Sequence, residues 1–180
     1  YLINVLLNIT GGVSGFKEIL EASFPKTIHQ RCIVHITRNL TKCVARKQWK
    51  ELCDDLKRIY KNVNLEAATD AANNILEKWK TNKILYKKLS NDIPHLLQLY
   101  DYPEEIRKIV YTTNPIESLN SALRKVTKGK GSFVNETALM KVLYLRVEGL
   151  EKKWSKGSKN WSSVQNQLAI LFEDRYTKYI

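Results

Sequence analysis

The sequence predicts an α/β fold dominated by helix, with a small sheet at its start, an all-helical block, and further helices that close the chain. Three observations carry this. An apolar run at residues 2–10 ends at Gly11-Gly12, and a second β-rich run at 27–35 follows after one amphipathic segment. Strand, helix and strand in so short a span form the βαβ unit of a parallel or mixed sheet. Past His35 the apolar spacing changes from two to the helical period and holds it to about residue 102. The implied organisation is a partial sheet over 1–35, a helical block over 36–102, and a closing segment over 103–180.

The elements follow in order. Ile3, Val5, Leu6, Leu7 and Ile9 make 2–10 a buried strand. Ser14 is expected to cap a helix over 15–24 that Pro25 stops. Thr27 to His35 reads as the second strand. Helices are expected over 36–45, 48–60, 65–79 and 84–99, with Asn64 as a cap and Asn91 and Pro94 breaking the last. Tyr102-Pro103 marks a loop before a short helix near Glu104, and Ile109-Val110-Tyr111 is expected as a short strand. Asn114 opens a helix that ends before Gly129. Asn135 caps a long helix to about Lys153, and a last helix runs from Trp161 to about Tyr176. Trp49, Trp79, Trp154 and Trp161 read as packing residues rather than platforms for bases.

Composition bounds the function. The chain has 180 residues, 43% hydrophobic and 27% charged, enough for one domain with a real core or one domain plus an insertion. It opens on Tyr1 inside an apolar run too short for a membrane span or a signal peptide. That run reads as a core strand whose neighbour lies upstream, so a piece of a longer protein or of a truncated gene is expected, in the cytoplasm. Lys and Arg number 30 against 18 Asp and Glu, a net charge of +12. Such an excess favours an anionic partner, nucleic acid above all; the competing reading is the Lys and Asn usage of an AT-rich genome. The odd set Cys32, Cys43 and Cys53 argues against a disulfide framework and for a reducing compartment.

The densest chemistry lies in Thr112-Thr113-Asn114-Pro115-Ile116-Glu117-Ser118-Leu119-Asn120-Ser121-Ala122-Leu123-Arg124-Lys125. Glu117 falls in the first turn of a helix, with Asn120, Ser121 and Arg124 behind it on one side and Ile116, Leu119, Leu123 and Val126 on the other. Its local pattern is that of a capping box with Pro at the first helical position. The number of polar neighbours exceeds what a cap needs and suits a metal-holding carboxylate facing phosphates. Arg124, Lys125, Lys128 and Lys130 follow without an acid among them. They read as a contact patch for backbone phosphates, or else as a solvated helix end that complements the dipole. Cys32 and His35 have C-x-x-H spacing, but two ligands do not make a structural zinc site, and a structural role at the strand end is the reading preferred.

The block from Thr112 to Phe133 resembles the signature around the last acid of the Mutator-type (IS256-family) bacterial transposases. The resemblance continues in Gly15-Phe16, Phe24-Pro25, Gln30-Arg31-Cys32-Ile33-Val34-His35, Asp101-Tyr102-Pro103 and Asn160-Trp161, in order along nearly the whole chain. It implies an RNase H-like core, here with an incomplete sheet, interrupted by the helical insertion. It implies DNA transposition by strand transfer, in which two Asp and one Glu hold two Mg²⁺ or Mn²⁺ ions. Glu117 is the final acid, and its implied roles are catalysis and metal binding.

The chain departs from that pattern at one position within it. The family's D-G-[LV]-x-G-F block stands here as Gly11-Gly12-Val13-Ser14-Gly15-Phe16, so Gly11 occupies the place of the second Asp. The first Asp would lie upstream of Tyr1. Asp54, Asp55 and Asp70 sit in the helical block and are not substitutes. The expectation is a transposase with DNA as partner (transposon ends and target), inactive by itself through its missing acids, and a homo-oligomer. The alternative is a non-catalytic DNA-binding fragment that inhibits an intact transposase, or a fragment whose unpaired strand edges prevent a stable fold.

Overall fold

Four residues of each β-rich run pair into a parallel sheet. In the computed structural model, which describes residues 4–111, 115–154 and 161–178, β1 (Leu7–Thr10) lies beside β2 (Ile28–Arg31), with Leu7 opposite Ile28 and Thr10 opposite Arg31. The crossover is α1 (Phe16–Ser23). The expected βαβ unit is present, and both strands are shorter than their apolar runs. Leu2 and Ile3 lie outside the described residues. Asn4 and Val5 are claimed by Arg175, whose guanidinium donates to Asn4 Oδ1 at 2.9 Å and to the Val5 carbonyl at 3.2 Å. Ser14 is not the cap of α1; Gly15 takes that position in the left-handed region, φ 77°.

The second run turns helical at Cys32. Its N–H closes the ladder on the Thr10 carbonyl at 2.7 Å, and its own carbonyl accepts from Ile36 N at 3.0 Å. Helix α2 (Ile33–Thr41) therefore begins inside the expected strand. Ile33, Ile36 and Leu40 are all buried there, at helical spacing. The β-branching of Ile33 and Val34 suggested strand, and packing against the helical block decided for helix.

The helical block builds the core. A 3₁₀ turn (Arg46–Gln48) leads into α3 (Trp49–Tyr60), then α4 (Leu65–Trp79) and α5 (Lys83–Leu97). Asn64 caps α4 as expected, its Oδ1 accepting from Ala67 N at 2.9 Å. Leu52, Leu56 and Ile59 of α3 meet Ala72, Ile75 and Trp79 of α4 and Leu85, Leu89 and Leu96 of α5 in one cluster. Burial of each large side chain is worth about 1.5–3 kcal/mol. Helix α5 continues through Pro94 rather than breaking there. Pro94 stands in its last turn, where few ladder bonds remain to be lost, and buried Ile93 and Leu96 hold the backbone on either side.

A 3₁₀ turn (Gln98–Asp101) joins α5 to α6 (Glu104–Tyr111). The strand expected at Ile109-Val110-Tyr111 is thus the end of a helix. Ile106 and Val110, one turn apart, are buried, and Tyr111 stacks at a tilt on Tyr60. These contacts outweigh the β propensity of Ile-Val-Tyr. Among the described residues the sheet has two strands, in the order β1-β2.

The chain divides into two compact units, Tyr1–Tyr111 with Gln167–Ile180, and Thr112–Asn166. The first is the sheet and helical block, with Leu168 and Leu171 of α9 (Trp161–Phe172) packed on its core and Arg175 of α10 (Asp174–Thr177) bound to its start. The second contains α7 (Pro115–Thr127) and α8 (Glu136–Trp154), which pack together. Asn135 caps α8 as expected, accepting from Ala138 N at 2.8 Å. Of the four tryptophans, Trp79 is buried; Trp49, Trp154 and Trp161 are exposed, against the expectation that all four pack.

One polar network ties α3 to α4. The buried Asp55 carboxylate accepts from Lys78 Nζ at 2.6 Å and Trp79 Nε1 at 2.9 Å, and Lys78 also reaches Glu51 at 2.8 Å. The hydrogen bonds to Asp55 and then Glu51 raise the Lys78 ammonium above its ordinary pKa. Asp55→Ala leaves the Trp79 N–H without its acceptor, and should cost about 1–3 kcal/mol of unfolding free energy. Urea denaturation of the variant checks this; an unchanged midpoint would show that the network adds nothing to the apolar contact of α3 with α4.

Candidate functional site

The C-terminal edge of a parallel sheet is where α/β folds place their ligands. Here β1 ends in Gly11-Gly12. A Cβ on Gly11 would stand 3.2 Å from His35 Cδ2 and 3.4 Å from Cγ and Nε2, so the imidazole lies directly against residue 11. Gly12 has φ 77°, and a Cβ there would fall 2.8 Å from Arg31 Nε and Nη2. The turn thus requires glycine at Gly12 on both counts.

Arg31, at the end of β2, donates from Nη1 to Asp92 Oδ1 of α5 at 2.6 Å. Around this ion pair the second strand is fastened to α5 through its neighbours. Gln30 Nε2 donates to the His95 carbonyl at 2.8 Å, and Gln98 Nε2 to the His29 carbonyl at 3.0 Å. His29 Nε2 and Thr10 Oγ1 share a hydrogen bond of 2.7 Å across the sheet. Among the described residues, Gln30 Oε1, Arg31 Nε and His35 Nδ1 are buried without a hydrogen-bond partner. The Asp92 side chain, only 11% exposed, has its charge answered by Arg31.

Sequence reasoning missed this cluster. Arg31 and Asp92 are 61 positions apart, and nothing local pairs them. The alternation of His29 and Arg31 along one strand was the sole available signal. The C-x-x-H motif is relocated rather than lost: Cys32 precedes the first turn of α2 and is a buried free thiol, while His35 in that turn faces Gly11. Among the described residues no group of three or more His, Cys, Asp or Glu side chains is placed to hold a metal ion.

The second unit carries the remaining site residues. Glu117 sits in the first turn of α7 and is half-buried, with Ser118, Asn120 and Ser121 exposed and Ala122 buried. Thr112, Thr113 and the expected cap Asn114 lie outside the described residues, as does the side chain of Ile116. Arg124 and Lys125 are exposed in the last turn of α7. Lys128 N bonds the Arg124 carbonyl at 2.8 Å and Lys130 N the Thr127 carbonyl at 3.1 Å, which winds the basic loop tightly onto the helix end. Lys128 and Lys130 are exposed, and the Lys130 ammonium lies 5.7 Å from the centroid of the Phe133 ring. Among the described residues none of these four cations has a carboxylate partner.

The class follows from comparison with known proteins. The family described as "Transposase, Mutator family" matches residues 2–157, and the chain belongs to that family. Over 175 residues it is 32% identical to the transposase for insertion sequence element ISRM3 of Rhizobium meliloti, covering 96% of this chain and 44% of that one. Over 173 residues it is 34% identical to the transposase for insertion sequence element IS905 of Lactococcus lactis, covering 94% and 44% respectively. The chain spans less than half the length of these two relatives.

Two histidines give the strand-end cluster a pH dependence. Burial, then the Lys17 charge, lowers the His29 pKa; burial, then Arg31, lowers that of His95. Below the ordinary imidazole value of 6.5 the unfolded chain binds more protons than the folded one. The stability these groups contribute is present above that value and is lost as pH falls through their folded-state values. Urea midpoints should therefore drop between about pH 7 and about pH 5, the range in which imidazoles titrate. His95→Gln should flatten the drop, and an identical slope in that variant would exclude His95 as a source.

Proposed function

We propose that this chain is a DNA-holding part of an insertion-sequence transposase whose own residues do not complete the acid set for strand transfer. In this reading β1, α1 and β2 belong to an RNase H-like core, α2 to α6 form its helical insertion, and α7 carries the last acid, Glu117. DNA lies along the basic end of α7 and the loop after it, on Arg124, Lys125, Lys128 and Lys130. The exposure of these cations and their lack of carboxylate partners among the described residues support the assignment. The partner implies a cytoplasmic location, and among the described residues no helix is long and apolar enough to cross a membrane.

The observation that carries the reading is Gly11 at the end of β1. A two-metal centre needs several hard oxygen ligands. Residue 11 offers none from its side chain, and the His35 ring lies against the space where an acid would begin. The residues present do not fit a Mg²⁺ or Mn²⁺ pair.

Two measurements test this. Lys128→Ala combined with Lys130→Ala should weaken duplex binding alike on all sequences and lower the salt slope by about one unit per lost phosphate contact. Anisotropy titrations at several salt concentrations read the slope; affinity indifferent to salt would leave the patch a solvated helix end. Supercoiled plasmid incubated with the chain and either Mg²⁺ or Mn²⁺ should remain uncut. Gly11→Asp alone should recover little, since it adds a single ligand and must displace the His35 ring by a few tenths of an ångström. Metal-dependent nicking by the unaltered chain that disappears in Glu117→Ala would overturn the proposal and show that other acids complete the site.

A further inference from the structure

We infer that the helical block holds a subsite for a single unpaired nucleobase, in the recess between the end of α3 and α6. The recess has a volume of 240 Å³ and is lined by Tyr60, Lys61, Asn62, Glu104, Arg107 and Tyr111 among others. That is below the roughly 300–1,000 Å³ of pockets for drug-sized ligands, and suits one ring system rather than a larger molecule. The inference rests on the reading that this chain handles DNA, and it concerns residues of the first unit rather than those of α7.

Three features point to a base. The first is aromatic: Tyr60 and Tyr111 lie with centroids 5.6 Å apart at 47°, both half-buried against the core and both reaching the recess. Rings fixed in this way offer faces or edges to a base at little cost in side-chain entropy. The second is charge. Lys61 Nζ stands 5.4 Å from the Tyr111 centroid and the Arg107 guanidinium 4.4 Å from that of Tyr100. Among the described residues neither cation is in an ion pair, whereas the Glu104 carboxylate is held by Lys108 at 2.6 Å. Lys61 and Asn62 also line a larger groove of 580 Å³ together with Arg58, which gives a backbone phosphate a place beside the base.

The third feature is a fixed rim. Tyr100 Oη donates to the Ile59 carbonyl at 2.6 Å and accepts from Asn62 N at 2.9 Å. Asn62 Nδ2 donates to the Ala67 carbonyl at 3.0 Å and the Arg58 carbonyl at 3.2 Å. The turn from α3 to α4 is therefore held in place before any ligand arrives, which limits the ordering cost of binding. Aromatic faces beside cations that no carboxylate neutralises among the described residues, on a rigid rim, are what sequence-independent binding of a single strand needs, and a base paired within a duplex cannot enter a recess of this size.

The test compares the full chain on short oligo(dT), on the same strand with abasic sugars, and on duplex DNA. Oligo(dT) should bind about tenfold more tightly than the abasic strand, the effect of one stacked base. Tyr60→Leu and Tyr111→Leu should each bring the two strands towards parity with duplex affinity unchanged. Circular dichroism melts establish that each variant is folded. If either unfolds, Lys61→Gln at the exposed rim should weaken oligo(dT) binding several-fold more than duplex binding. Parity between the two strands in the unaltered chain, or a preference that survives these substitutions, overturns the subsite while duplex binding stands. Loss of all DNA binding by the unaltered chain would sink the DNA reading together with it.

Discussion

The fastening of β2 to α5 is the constraint on which the rest of the strand-end architecture depends. Two four-residue parallel strands do not form a stable sheet by themselves. Here Gln30, Arg31 and Gln98 join β2 to α5 and the 3₁₀ turn after it by one ion pair and two side-chain to main-chain hydrogen bonds. The strand end becomes an extension of the helical core, and β1 is then held by its ladder to β2 and by Arg175 at its other end. Because Arg31 lies over Gly12, the same ion pair also shapes the turn that ends β1.

That turn is where fold and function part company in this chain. The main chain at residues 10–12 lies at the end of a parallel strand, with an imidazole beside it. Glycine at position 11 offers no side-chain oxygen there. The His35 ring lies close enough that a Cβ at residue 11 would need it to give by a few tenths of an ångström. Glu117 and the basic tail of α7 belong to the other unit and retain their own arrangement, a half-buried acid followed by exposed cations. The exposed cations after Glu117 do not depend on which residue stands at position 11.

Legibility followed the range of the interaction that decides each feature. Asn64 and Asn135 were readable as caps because the bond they make is to a backbone N–H three residues on. The bounds of α4 were readable for the same reason. The end of β2 was not. Ile33 and Val34 are β-branched and apolar, and the helix starts there because Ile33 and Ile36 pack on residues far along the chain. Tyr111 was misplaced for the like cause: its ring meets Tyr60, 51 positions earlier by number.

By itself the sequence determined the family, the α/β class with its helical majority, the absence of an acid side chain at residue 11, and the excess of cations after Glu117. Each of these is a property of residue identity or of neighbours within a few turns. Tertiary structure alone decided that His35 faces Gly11, that Asp92 neutralises Arg31, and that Tyr60, Lys61, Arg107 and Tyr111 share one recess. These juxtapositions come from helices folding back on one another. Local periodicity specifies which face of a helix is buried, but not which partner, often dozens of residues away, it is buried against.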